Sequence, residues 1–350
     1  MGDEMTIQKL YLELTDRCNL DCSICYRKSW NSPPTDLGMS SLVHLTAEMN
    51  KQNTIKEIVI GGIGEPTFSP IFQEAIQMLK DYHLTLTTNG TLLYGELLDM
   101  VIKHVDVVTV SIDGLEERFE SIRGVPLEKV VHHLTNLRQS KKQLSKSTPI
   151  LQLQFVASED NMDDIFRVID LAAALNAQSV IISNLLPQCQ ENAVKILYTR
   201  YENPRMKALF HQIRNYSFKK GIQLLLPNYE LKTERRCNFI EQDAVFVCAS
   251  GDVVPCYRLS HPYQEYVFGR EKQVGRHSFG NIQNHSLYEI WHQKSYADFR
   301  QTIYHNLYPS CIDCDLVEGC DMVRNTEADC YGVNPSCGDC LWTRKFVMCP

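Results

Sequence analysis

The sequence predicts an α/β protein, a partial (β/α)6 TIM-like barrel over residues 1–228, followed over 229–350 by a smaller region built around metal centres. Three observations lead there. Between Leu10 and Pro227, short β-branched runs alternate with longer amphipathic stretches, the pattern of repeated βα units around a parallel sheet. Polar and glycine-rich turns fall just past the strand candidates, where such sheets place their sites. The fourteen cysteines are concentrated in two separate stretches.

Taken in order, the strand candidates are Leu10 to Leu14, Glu57 to Ile60, Leu84 to Thr88, Val107 to Ser111, Leu151 to Val156 and Ser179 to Ser183, with a further one at Ile222 to Leu226. Helix candidates lie between them at Ser41 to Gln52, Ile71 to Tyr82, Leu92 to Lys103, Asn161 to Leu175 and Pro204 to Lys220. Six such units make an incomplete barrel. After about Asn228 cysteine, glycine and short turns take over, with one helix candidate from Ser286 to Thr302. That stretch has too little apolar periodicity for a large core and is expected to depend on metal for its fold.

A net charge of −7 offers no polybasic surface to neutralise phosphates, so neither nucleic acid nor an anionic membrane is an expected partner. No run of about 18 apolar residues exists, and Met1-Gly2-Asp3-Glu4 lacks the basic-then-apolar build of a secretory signal. A cytoplasmic location is expected, where disulfides do not persist, so the cysteines point to metal ligation. Cys189 stands alone and is expected to be a buried apolar thiol. The eleven histidines show no metal-ligand spacing.

Cys18-Asn19-Leu20-Asp21-Cys22-Ser23-Ile24-Cys25 follows the first strand directly. Four cysteines would fill a [4Fe-4S] cluster; three leave one iron open to a small molecule, as in catalytic metal sites. This spacing and position resemble the radical S-adenosylmethionine (SAM) superfamily, whose open iron chelates the amino and carboxylate groups of SAM. Gly61-Gly62-Ile63-Gly64-Glu65-Pro66 resembles that family's GGEP-type loop, which implies that Gly62, Gly64 and Glu65 receive the SAM amino group. Thr88-Asn89-Gly90 is similar to its TNG turn and Ser111-Ile112-Asp113-Gly114 to its SxDG segment, with Ser111 as a polar contact to SAM. Arg123 follows where related enzymes place an arginine on the SAM carboxylate, a contact suited to a guanidinium fork. Many relatives carry an aromatic residue before the third cysteine; here it is Ile24, and Tyr26 is adjacent but not equivalent.

Cys237, Gly251-x4-Cys256 and Cys311-x2-Cys314-x5-Cys320 resemble the SPASM pattern, a C-terminal domain that holds auxiliary iron-sulfur clusters. Phe279-Gly280-Asn281-Ile282 and Ser286-Leu287-Tyr288-Glu289-Ile290-Trp291 are similar to it too, whereas Arg324 stands where the family has its next cysteine. With Cys248, Cys330, Cys337, Cys340 and Cys349 there are ten thiols where two cubes need eight. The grouping adopted is Cys237, Cys248, Cys256 and Cys330 for one cluster, and Cys311, Cys314, Cys320 plus one of Cys337, Cys340 or Cys349 for the other. Tetrahedral zinc competes for the same CxxC units. The tail from Cys320 to Trp342 resembles the SPASM maturases associated with tungsten-cofactor oxidoreductases.

The resemblance implies SAM and a [4Fe-4S] cluster at the first site, two auxiliary [4Fe-4S] clusters, and a 5'-deoxyadenosyl radical as the reactive species. It implies reduced flavodoxin or ferredoxin as electron donor and a peptide or protein substrate ahead of a small molecule such as a pterin precursor. A non-catalytic metal-binding protein is the alternative of a different class. Tyr257 replaces the aspartate that sulfatase maturases place after the equivalent of Cys256, which counts against formylglycine formation. No catalytic base is identified.

Overall fold

The computed structural model describes residues 6–30 and 32–349; the N-terminal Met1 to Glu4 segment lies outside them. Seven parallel strands run in chain order: β1 (Lys9–Glu13), β2 (Glu57–Gly61), β3 (His83–Thr88), β4 (Val107–Ser111), β5 (Ile150–Ala157), β6 (Ser179–Asn184) and β7 (Gln223–Leu225). Each predicted strand is present, shifted by a residue or two at its ends. The central strands are buried on both faces, which explains runs such as Ile58, Val59 and Ile60, all fully buried, rather than strict alternation.

Helices Met39–Gln52, Phe72–Leu79, Gly95–His104, Ile165–Ala174 and Pro204–Lys220 pack their apolar stripes on this sheet. Two further helices, Glu116–Arg123 and Leu127–Gln143, were not expected from the sequence. The first buries only Phe119 and Ile122, too few for a readable period. The second does carry a helical stripe at Leu127, Val130, Leu134 and Leu137.

The C-terminal region is joined to the barrel sheet. β8 (Ala244–Val247) pairs in parallel with β1, placing Leu10 opposite Val245. β9 (Asp252–Val254) and β12 (Gly280–Asn281) then extend the sheet with antiparallel pairings, while β10 (Tyr263–Val267) and β11 (Arg270–Val274) form a separate hairpin. The ten-stranded order is β12-β9-β8-β1-β2-β3-β4-β5-β6-β7, and its outer strands, β12 and β7, do not pair with each other. The barrel is therefore partial. The predicted single helix near Ser286 is two, Leu287–His292 and Lys294–Tyr304, broken at Gln293, whose backbone leaves the helical region (ψ 139°). Ser286 starts the first with a capping box closed by Glu289.

Candidate active site

The carboxyl ends of β1 to β6 open into one cavity of about 270 Å³. Cys18, Cys22 and Cys25 line it together with Gly62, Gly64, Glu65, Ser111 and Arg123, so every expected SAM-site residue faces one space.

The cysteine loop is pinned from several sides. Thr15 Oγ1 donates to Asp36 (2.6 Å), Arg17 pairs with the same carboxylate (2.6 Å), and Asp16 accepts the Thr35 amide (2.7 Å). Ser23 N–H donates to the Ile122 carbonyl (2.8 Å). Burial pushes the Cys18 thiol up and the Cys25 thiol up to about 11, so both hold their protons until a cation takes their place.

Two glycines are required in the next loop. Gly64 packs so closely on the first that an added Cβ would lie 2.3 Å from the Thr15 carbonyl oxygen and 2.5 Å from that of Arg17. Gly62, at φ +108°, packs on Glu13. Glu65 is fully engaged: Oε1 accepts from Thr67 N–H (3.2 Å), Thr67 Oγ1 (2.5 Å) and Thr88 Oγ1 (2.7 Å), and Oε2 from Asn89 N–H (2.7 Å). Glu65 thus braces the turns after β2 and β3, and burial raises its carboxyl pKa.

Arg123 sits between the cysteine loop and β4. Its Nη1 approaches Cys22 Sγ (3.8 Å), its Nη2 pairs with the fully buried Asp113, and its Nε is buried without a partner. Burial works against the guanidinium charge, but the Asp113 carboxylate outweighs it and keeps Arg123 protonated. Asp113 also accepts the Val156 amide (2.8 Å) and so ties β4 to β5.

The auxiliary cysteines divide differently from the sequence expectation. Cys237, Cys256, Cys337 and Cys340 converge on a second, smaller pocket lined also by Pro255, Phe299 and Trp342. Burial drives the Cys256 thiol up to about 12 and raises Cys237, Cys337 and Cys340 as well. Neither Cys248 nor Cys330 lines that pocket. Cys248 is at the end of β8, where its sulfur lies within 4.8 Å of ligand atoms of Glu13 and His261, because β8 runs beside β1. Cys311 packs with Val317, Val323 and Cys320, and Cys330 is near enough to raise the Cys311 pKa, although burial is the larger cause. Cys314, in the same loop, is exposed, as is Cys330. Cys349 lines the SAM-site cavity and also packs on the same apolar cluster as Cys237 and Cys256; burial pushes its thiol up to about 12, and the nearby Cys256 and Cys340 add to the rise. Cys189 is half-buried, not buried as expected, because it opens a short surface helix, Gln190–Ala193.

Between the two auxiliary sets lies a buried ionic network. Arg258 pairs with Glu265 (2.6 Å) and Asp339 (3.2 Å), and Asp339 also binds Lys272 (2.9 Å) and Arg270 (3.3 Å). Gly338 accepts the Cys311 amide through its carbonyl (2.8 Å).

Several other cavity residues were not placed there by the sequence. Asn184 follows the β6 candidate and could have been suspected from position alone, whereas Tyr257, Trp342 and Met348 come from the C-terminal region by tertiary folding.

Residues 12–187, half of the chain, match the family model described as the radical SAM superfamily. The chain belongs to that superfamily. Residues 237–315 of this radical SAM enzyme match the SPASM iron-sulfur cluster-binding domain. It is 36% identical over 352 aligned positions to a Pyrococcus furiosus protein named tungsten-containing aldehyde ferredoxin oxidoreductase cofactor-modifying protein, covering 97% of this chain and 96% of that one. A probable GTP 3',8-cyclase of Pyrococcus abyssi is 27% identical over 53% of this chain and 60% of its own length. Among solved structures, Streptococcus suis SuiB bound to SAM has a TM-score of 0.64 at 14% identity, covering 91% of this chain and 72% of that one. The structure titled native anSMEcpe with bound AdoMet gives 0.61 at 16%, covering 88% and 87%. At these identities the likeness is one of fold. SAM and [4Fe-4S] clusters are the cofactors of this radical SAM enzyme, and its sulfur donors suit them: the three thiols of the Cys18 loop share an open cavity, lined also by Cys349, and four converge on a closed one. No helix among the described residues is long and apolar enough to cross a membrane.

Proposed function

We propose that this enzyme matures a tungsten-dependent oxidoreductase by radical modification of its cofactor or a precursor of it. The observation that carries this reading is the 36% identity, over nearly the whole of both chains, to a protein named for modifying the cofactor of a tungsten-containing oxidoreductase. A peptide or protein substrate, favoured by the sequence pattern, becomes the second reading.

With cluster and SAM bound at the Cys18 loop, one-electron reduction supplies methionine and a 5'-deoxyadenosyl radical that abstracts substrate hydrogen. In the proposed division, Cys18, Cys22 and Cys25 hold the SAM-site cluster. Cys237, Cys256, Cys337 and Cys340 hold one auxiliary cluster, and Cys311, Cys314, Cys320 and Cys330 a second. Gly62 and Gly64 let backbone approach SAM, and Ser111 offers a polar contact. Arg123 faces the SAM carboxylate through its unpaired Nε edge, while Glu65 holds the shape of the loop. A reduced flavodoxin or ferredoxin is the proposed electron donor, and a cytoplasmic location fits that chemistry.

The test compares anaerobically reconstituted protein with a Cys18/Cys22/Cys25 triple alanine variant. The parent is expected to hold about twelve irons, as three [4Fe-4S] clusters require, and to form 5'-deoxyadenosine under strong reduction; the variant should lose about four irons and all deoxyadenosine. Deoxyadenosine formation is then measured with a tungsten-pterin extract or with the cofactor-free oxidoreductase added. Stimulation by the extract supports the proposal, stimulation by the protein alone supports the second reading, and no cleavage in the parent refutes both.

A further inference from the structure

We propose that Cys349 is a hydrogen-atom donor to carbon radicals in the SAM cavity, a role that rests on the reading above that SAM is cleaved there. Among the described C-terminal cysteines, Cys349 is the one that lines the SAM cavity. Four cysteines converge on the closed auxiliary pocket, and Cys311 and Cys320 pack together apart from it; Cys349 lies near Cys256 and Cys340 of the first set but lines the open cavity together with Cys18, Cys22 and Cys25.

The segment that carries it is fixed to the barrel. Met348 N–H donates to Ser183 Oγ (3.0 Å), and the Phe346 carbonyl accepts from Asn184 N–H (3.2 Å) and Nδ2 (3.0 Å). The Cys349 sulfur accepts the Trp342 indole N–H (3.0 Å), which holds it in place and leaves the S–H as its remaining polar bond.

An independent observation marks this wall as a binding surface. Asn184, only 2% exposed, lines the cavity at the end of β6, and its Oδ1 has no hydrogen-bond partner among the described residues. A buried acceptor left unpaired costs free energy until a ligand donor reaches it. A polar molecule seated on Asn184 lies against the segment that presents Cys349.

The chemistry balances with what the enzyme's activity already requires. A carbon radical takes a hydrogen atom from the thiol, forming a C–H bond and breaking the weaker S–H bond. The resulting thiyl radical is restored by one electron, from the same class of low-potential reductant that drives SAM cleavage, and one proton from solvent. With no substrate bound, the radical to be quenched is the 5'-deoxyadenosyl radical itself.

The test therefore needs only SAM, dithionite and D2O, because a thiol exchanges its proton with solvent whereas carbon-bound hydrogens do not. Deoxyadenosine formed by the parent should carry one solvent deuterium in most molecules, and that formed by Cys349→Ser should lose it, since an O–H bond is too strong to replace S–H. Tyr257→Phe, which removes a phenol O–H from the same cavity, should retain deuterium. Both variants should keep the parent's iron content, and alkylation of Cys349 by iodoacetamide should be slowed by SAM. Undeuterated deoxyadenosine from the parent, loss of label in Tyr257→Phe with retention in Cys349→Ser, no protection by SAM, or loss of about four irons in Cys349→Ser, the mark of a cluster ligand, would each overturn the proposal. If the parent forms no deoxyadenosine at all, the SAM-cleavage reading falls and the thiol's role falls with it.

Discussion

Substituting Gly338 by alanine tests the proposed second auxiliary cluster with a single methyl group. A Cβ at this position would stand 2.5 Å from Cys311 Sγ and 3.1 Å from the Pro309 carbonyl oxygen, whereas ordinary van der Waals contact begins at 3.4 Å. The sulfur must therefore retreat by about 0.9 Å, the gap between 2.5 and 3.4 Å. Metal-ligand distances tolerate only about 0.2 Å. The backbone cannot easily yield instead, since the Cys311 amide is bonded to the Gly338 carbonyl and Cys337 and Cys340 hold the segment from the other pocket. Overpacking of this kind costs about 1–3 kcal/mol in a well-packed core. Gly338→Ala should thus lose about four of about twelve irons, along with their matching sulfide, while the SAM-site cluster and its cleavage of SAM survive. Gly319→Ala is the control, as nothing lies within 4 Å of the Cβ it would gain. Iron and sulfide analysis after anaerobic reconstitution reads the result. Full iron in Gly338→Ala, or equal losses in both variants, would refute the assignment of Cys311 to a cluster.

Two further outcomes follow from other parts of the structure. In Glu65→Gln an amide nitrogen must replace one of two oxygens that both accept hydrogen bonds, so at least one donor among Thr67, Thr88 and Asn89 faces another donor. Urea denaturation should show a loss of about 1–3 kcal/mol, and SAM titration should show weaker binding. Burial lowers the His277 pKa below its ordinary 6.5. As pH falls through 6.5 the unfolded chain takes up a proton that the folded one refuses, so stability should decline toward the folded-state pKa and be flat above 6.5. His277→Leu should remove that decline between urea midpoints measured at acidic and neutral pH.

The barrel was legible because its strands are short apolar runs, β-branched in all but β1 and β7, and its active-edge loops have distinctive compositions, as at Gly61 to Glu65 and Ser111 to Gly114. Thr88 and Asn89 were less transparent, since their bonds to Glu65 cross between loops that are 23 and 24 residues apart. The auxiliary ligand sets were not legible at all. Spacing along the chain constrains neighbours such as Cys337 and Cys340, but only folding brings Cys237 to them and sends Cys248 to Glu13 and His261. The four-residue run Ala244 to Val247 was hidden for a related reason: among cysteines and turns it is too short to show a period, although every one of its residues is buried.

That run has a consequence for how the protein is made. During synthesis β1 emerges first and can find β2 soon after, yet its other edge waits for β8, whose Val245 pairs with Leu10 across 235 residues of chain. At about 5–20 residues per second, that edge stays bare for roughly ten to fifty seconds. For this interval the nascent barrel is a sheet with an open parallel margin, the kind of surface that invites pairing with a foreign strand. The last third of the chain thus supplies the strand that covers this margin, and the SAM-binding half reaches its final form only once that strand is in place.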